Sequence, residues 1–241
     1  MSTIPIFYLH GLLGFPDELN EIFKDSSINL IGINWYSLIP SNSFYSIQDI
    51  AKVICHYIRS TGHKSVRLLG YSMGGRLAMQ CAYTDPDLIE CLFLESAHFG
   101  YENKDQKQNL FHDFLLKINH IKTLSFEQFL DYWYQQDLFC LTKLAYSNQD
   151  LFQKKMLDFD KICELMINLH VSKQPFFIDV FHSLNCPIFY ITGLLDTKYS
   201  HHAKSVSNIL NQFNYCIISN ADHNVHVSNP SLFKDWVLRY S

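Results

Sequence analysis

A chain of 241 residues, 48% of them hydrophobic, is long enough for one large domain with a substantial core. Its net charge of −4 carries no block of like charges, so the sequence offers no surface for a nucleic-acid backbone and no polybasic membrane anchor. No apolar run approaches the roughly 18 residues that span a bilayer, and the seven scattered cysteines show no CxxC spacing, which argues against disulfide or zinc frameworks and for a reducing, cytoplasmic setting.

In chain order, the opening "MSTIPIFYLHG" runs into a strand expected over Ile4–Leu9, with no basic leader before it. Further strands are predicted at Asn29–Trp35, Ser65–Tyr71, Cys91–Glu95, Ile188–Thr192 and Tyr215–Ser219. Several are continuous apolar runs, as expected when both faces are covered. Helical spacing predicts helices at about Ile47–Thr61, Met73–Thr84, Ser200–Gln212 and Ser231–Tyr240. Strand followed by helix, repeated, implies right-handed crossovers and a mostly parallel sheet of about six strands.

That rhythm breaks between about residues 99 and 184. The segments "FHDFLLKINHI", "SFEQFLDYWYQQ" and "DKICELMINLH" are helix-like and aromatic-rich, and β/α order resumes only at "CPIFYITG". The expectation is a single domain over residues 1–241 with a helical cap inserted at about 99–184.

At the end of the third strand stands Gly70-Tyr71-Ser72-Met73-Gly74, a G-x-S-x-G pattern opening a helix. A serine hydroxyl needs a histidine to take its proton and a carboxylate to orient that histidine. A sharp strand-to-helix turn lifts the serine above the sheet, and its flanking glycines let backbone pass close by. Three fixed residues of ~7% abundance recur by chance in roughly one chain in a dozen of this length, so position carries the signal. Asp196 follows the next-to-last strand in "YITGLLDTKY", and His223 follows the last in "IISNADHNVH". Taken singly, Asp196 reads as a helix N-cap and His223 as a loop residue. Together they give the order Ser, Asp, His that the α/β-hydrolase fold requires. His226, three residues on, is the competing histidine. Main-chain donors for an oxyanion fall at Met73, after the serine, and at Leu12, after the first strand, while His10 reads as structural.

The segments "GYSMGGRLA", "LESAHFG", "WYQQ", Gln174-Pro175, "TGLLDTKY" and "ADHNVHVSNP" occur in the order and at the spacing of one subfamily. From about Ile6 onward the chain resembles the 2-succinyl-6-hydroxy-2,4-cyclohexadiene-1-carboxylate (SHCHC) synthases of menaquinone biosynthesis, with the cap looser. That resemblance implies a lyase rather than a hydrolase. Its substrate is a ring carboxylate bearing a succinyl ketone and an enolpyruvyl ether, which loses pyruvate after proton abstraction alpha to the ketone. Three substrate carboxylates imply a cationic pocket. Arg76, one helical turn past Ser72, suits a bidentate grip on one of them, although it also reads as a helix-surface arginine. Tyr71 and Trp133 match pocket positions, with plain packing the alternative for Trp133. Lys107 and Lys154 stand where the family carries arginines; each keeps the charge without the two-pronged geometry, and each also reads as a solvated helix-face lysine. A carboxylester or thioester hydrolase working through an acyl-serine is the alternative activity. A silent binding protein is disfavoured by the filled triad. No cofactor or metal is implied, since His201-His202 has no companion ligands at useful spacing. The expected partner is a small polyanionic substrate, without nucleic acid or membrane insertion.

Overall fold

The computed structural model describes residues 4–39, 45–182, 184 and 186–241. Its six strands are β1 (Ile6–Leu9), β2 (Leu30–Ile33), β3 (Val66–Tyr71), β4 (Ile89–Glu95), β5 (Ile188–Gly193) and β6 (Phe213–Ile218). They form one sheet in the order β2-β1-β3-β4-β5-β6, and every neighbouring pair is parallel. Parallel pairing requires a crossover between successive strands. The sequence supplies these as helices Ile47–Ser60, Met73–Thr84 and Thr197–Ser207.

Alternation along the strands explains why both sheet faces are buried. Phe7 and Leu9 pack with Leu68, Leu92 and Tyr190 under the helices Ile47–Ser60 and Met73–Thr84. Ile6 and Tyr8 point the other way, joining Leu69, Phe93 and Ile191 against Phe233, Trp236 and Val237 of the last helix, Pro230–Tyr240. Ser46 starts the helix Ile47–Ser60 with a reciprocal capping box to Asp49.

The strand and helix expectations hold, with shifted ends. β2 stops at Ile33 because Asn34 leads into a 3-10 turn, Trp35–Leu38, which buries Trp35 and lets its Nε1 donate to His10 O at 3.0 Å. The helix expected at Ser200 begins at Thr197, because Asp196 caps it by accepting from the Tyr199 amide at 3.2 Å. Between β4 and β5 lie the helices Lys104–Ile121, Phe126–Tyr134, Asn148–Lys154 and Phe159–Asn168 with shorter turns, and no strand among the described residues. The crossover from β4 to β5 therefore makes a long helical excursion over the carboxyl ends of the strands. In open parallel sheets that end is where ligands bind.

Candidate active site

The turn after β3 is strained. Ser72 sits at φ 49°, ψ −108°, in the left-handed half of the map that a β-carbon disfavours. Two backbone hydrogen bonds hold it there: its N–H donates to Glu95 O at 2.8 Å, and its carbonyl accepts from the Arg76 amide at 3.2 Å. The glycines on either side answer to space. A β-carbon on Gly74 would stand 1.9 Å from Leu9 O, and one on Gly70 would stand 2.6 Å from Gly74 O. Strand end and helix start thus come into contact that only glycine permits.

The loops after β5 and β6 bring two side chains to this turn. His223 Nε2 lies 2.9 Å from Ser72 Oγ, and His223 Nδ1 lies 2.6 Å from Asp196 Oδ2. Asp196 and His223 are buried, and the carboxylate divides its work between capping the Tyr199 amide and facing the imidazole. The N-cap expected of Asp196 as a lone residue and its place beside the histidine are both real. A carboxylate at Nδ1 puts the ring proton there and leaves the Nε2 lone pair toward the hydroxyl. The rings of Phe139 and Tyr199 stand edge-on to His223, with centroids 5.7 and 4.7 Å away.

His226 is occupied elsewhere. Its Nδ1 lies 2.7 Å from Glu95 Oε2, its amide donates to Glu95 Oε1 at 2.9 Å, and its Nε2 is 3.8 Å from Glu18, which also bonds the Tyr8 hydroxyl. Burial disfavours its cation, but the Glu95 charge and hydrogen bond, with Glu18 behind them, hold its pKa above the usual value.

The excursion between β4 and β5 also grips the histidine loop. Leu138 O accepts from the His223 amide at 3.0 Å. Next to it, the buried Asp222 carboxylate accepts from the Leu141 amide at 2.8 Å and from both the amide and hydroxyl of Thr142 at 2.7 Å. Sequence reading missed Asp222; its adjacency to His223 was the available signal.

Ser72 opens onto a cleft with two lobes. One, about 200 Å³, is lined by Tyr71, Tyr134, Phe139, Tyr146, Lys154 and His223. The other, about 380 Å³, is lined by Arg76, His98, Lys117, His170 and Lys198 and, among the described residues, by no Asp or Glu. Leu12, Ser72, Trp133, Gln136, Lys198 and Tyr199 face both. Met73 lies in the second lobe and heads its helix, so its amide is among those without an intrahelical acceptor.

Arg76 is buried, and its Nη1 donates to Leu169 O at 2.7 Å and Gln174 Oε1 at 2.9 Å, both uncharged acceptors. Burial lowers its pKa to about 10, which leaves it cationic at neutral pH. Lys154 is buried too, with Nζ donating to Leu13 O at 2.8 Å and lying 4.7 Å from the centre of the Tyr146 ring. Burial lowers its pKa, with Glu18 and Asp150 opposing. It is therefore no solvated surface lysine.

Lys107 departs from its expected place. It lines neither lobe, because its Nζ is taken by Gln174 O at 3.1 Å. Its contact is with the segment that holds Arg76. Lys198 was not foreseen, although it stands two residues after Asp196 in the first turn of a helix. Its side chain reaches the surface, yet the surrounding groups desolvate the ammonium and lower its pKa, while Asp196 raises it and Arg76 and Lys117 lower it further.

The parallel sheet, the strained serine turn and the loops that meet it define a class. The chain belongs to the α/β-hydrolase family, whose model, described as the alpha/beta hydrolase fold, matches residues 4–230. Within that class it is similar to the putative SHCHC synthase of Haemophilus influenzae, at 27% identity over 95% of this chain and 94% of that one. It is likewise 26% identical to the SHCHC synthase of Yersinia pseudotuberculosis, over 98% of this chain and 86% of that one. Among solved structures, MenH from S. aureus superposes with a TM-score of 0.86 at 21% identity, covering 98% of this chain and 92% of that chain. An esterase from Thermogutta terrifontis shares the fold at a TM-score of 0.75 and 14% identity, over 99% and 89%. The protein is an enzyme of the α/β-hydrolase superfamily.

Proposed function

We propose that the protein is a carbon–oxygen lyase that eliminates pyruvate from 2-succinyl-5-enolpyruvyl-6-hydroxy-3-cyclohexene-1-carboxylate, giving SHCHC for menaquinone biosynthesis. The observation that carries this reading is Arg76: a buried cation one helical turn from Ser72, bonded among the described residues only to neutral oxygens and facing a lobe whose described lining holds two lysines and no carboxylate. A buried charge left unpaired is costly unless a ligand completes it. A substrate with three carboxylates does so; a neutral ester does not. The relatives' names point to the same chemistry.

In this reading Ser72 is a base. Its proton passes to His223 Nε2 across the 2.9 Å contact, and Asp196 stabilises the imidazolium. The serine oxygen then removes the C–H proton alpha to the succinyl ketone. The electron pair moves into the ketone and on through the ring double bond, expelling enolpyruvate, which takes up a proton as pyruvate. The Met73 and Leu12 amides serve the enolate oxygen as they would a tetrahedral oxyanion. Tyr71, Trp133 and Lys154 line the cleft as substrate contacts, and the helices of about residues 99–184 act as its cap. The reaction needs no cofactor.

The test supplies the enolpyruvyl substrate and follows pyruvate with lactate dehydrogenase. Pyruvate release by the wild type, lowered by roughly three orders of magnitude or more in Ser72→Ala, is the expected result. Absence of pyruvate together with rapid cleavage of p-nitrophenyl esters would replace the lyase with an acyl-serine hydrolase on the same triad.

A further inference from the structure

The lobe beside Arg76 contains two histidines that the reaction above does not use. His98 follows β4, and His170 follows the helix Phe159–Asn168; both line the cavity. Their tautomers are readable from their partners. The Gly100 amide donates to His98 Nδ1 at 2.9 Å. An amide only donates, so Nδ1 holds a lone pair and, in the neutral ring, Nε2 carries the hydrogen. The Ser172 amide donates to His170 Nδ1 at 3.4 Å, which sets the same tautomer, with the Ser172 hydroxyl 2.8 Å from that nitrogen. Burial, reinforced by Arg76, Lys198 and other nearby cations, lowers the pKa of His98 to about 2 and of His170 to about 4. Both rings therefore stay neutral at physiological pH. Among the described residues, neither Nε2–H has a hydrogen-bond acceptor in the protein.

Both rings are also held firmly. His98 stacks on His202, with centroids 4.4 Å apart, and the Gln174 amide that bonds Arg76 donates to His98 O at 2.7 Å. His170 stacks on Phe114 at 4.4 Å. Preset rings with a free donor lose little freedom when a ligand arrives.

We propose that the Nε2–H groups of His98 and His170, with Arg76, form a subsite for a carboxylate-bearing arm of the substrate in the lobe beside Ser72. The cations supply attraction, and the neutral donors supply direction, since each imidazole N–H donates to an oxygen only along its own axis. For the substrate above, a flexible succinyl arm fits this chemistry. The choice of arm rests on the lyase reading; the subsite itself rests on the donors.

Succinate serves as the probe. In 15N-histidine spectra of the wild-type protein, assigned with His98→Gln and His170→Gln, succinate should shift both Nε2 signals. His98→Leu should weaken succinate binding about 3- to 10-fold, the scale of one lost hydrogen bond, whereas His98→Gln, with an amide N–H near the Nε2 position, should recover part of it. In the pyruvate assay the His98→Leu loss should fall on KM more than on kcat. Nε2 signals that ignore succinate, or succinate affinity unchanged in His98→Leu, would overturn the subsite. Succinate binding as described with no pyruvate formed would leave the subsite standing and remove the lyase reading instead.

Discussion

Gln174 offers a test of what Arg76 is for. Its Oε1 accepts from Arg76 Nη1 at 2.9 Å, and its Nε2 donates to His98 O at 2.7 Å. Gln174→Glu keeps an acceptor of the same shape but makes it an anion, and, like any residue without the amide N–H, it gives up the donor to His98 O. At an effective dielectric near 20, unit charges about 3 Å apart attract by roughly 6 kcal/mol before desolvation is counted. Arg76 would then be paired within the protein, and a substrate carboxylate would have to compete for it. The binding at stake is one charge-assisted hydrogen bond, ~1.5–3 kcal/mol, or roughly 10- to 150-fold in KM. Gln174→Leu separates charge from packing. It strips a partner from both Arg76 and His98 O, costing about 1–3 kcal/mol for each buried group left unpaired, yet leaves the guanidinium free for an anion. We expect Gln174→Glu to raise KM by at least ten-fold while its Tm falls less than that of Gln174→Leu, and Gln174→Leu to raise KM less. Pyruvate release at varied substrate and thermal melts of the three proteins give both numbers. An unchanged KM in Gln174→Glu would show that Arg76 does not bind substrate charge, and equal KM values in the two variants would reduce Gln174 to packing.

Two further outcomes follow from the geometry. Gly74→Ala places a methyl 1.9 Å from Leu9 O and should cost more than about 3 kcal/mol in urea unfolding, whereas Gly62→Ala, at φ 86° in open space, should cost only about 1–2 kcal/mol; similar losses at both positions would show that crowding at the turn is not what requires glycine. His226 has a raised folded pKa beside Glu95, so its contribution to stability is complete below the unfolded value near 6.5 and is lost as pH climbs through the folded pKa. The Tm gap between wild type and His226→Gln should therefore be widest near pH 5.5 and narrow toward pH 9, and a gap independent of pH would contradict the pairing.

How much of this was legible in the sequence depended on whether a residue's role is set by its neighbours in the chain. The serine turn was readable because strand, glycines and helix are contiguous, and Met73–Thr84 forms as patterned. Asp196 and His223 were readable because the fold fixes their order and each follows a strand. Between His223 and His226 the sequence favours His223 only for standing nearer the strand end, and the choice turns on a distant residue. It is decided by Glu95 at the end of β4, more than a hundred residues earlier, which claims His226 and leaves His223 for Asp196. Arg76 was visible as a cation near the serine, but its acceptors lie 93 and 98 residues downstream. Lys107 shows the converse: its charge and position along the chain matched a binding role, and a carbonyl of that same downstream segment takes its ammonium group.

The β4-to-β5 excursion does more than cover the cleft. Leu138 and Thr142 hold the loop that carries His223, while Leu169 and Gln174 hold Arg76. One inserted stretch therefore sets both the histidine proposed to activate Ser72 and the cation proposed to bind substrate. The sheet alone supplies a serine turn that many chemistries share. In the proposed reaction, abstraction of a carbon-bound proton rather than attack on an ester demands an anionic substrate fixed with its acidic C–H at Ser72 Oγ, and the groups suited to fixing it, Arg76, His98 and His170, are placed around the lobe by residues of this excursion. On this reasoning, exchanging the helical stretch for that of an esterase should abolish pyruvate release even with Ser72, Asp196 and His223 present, because His170 would be lost and Arg76 and His98 would lose the Leu169 and Gln174 contacts that place them.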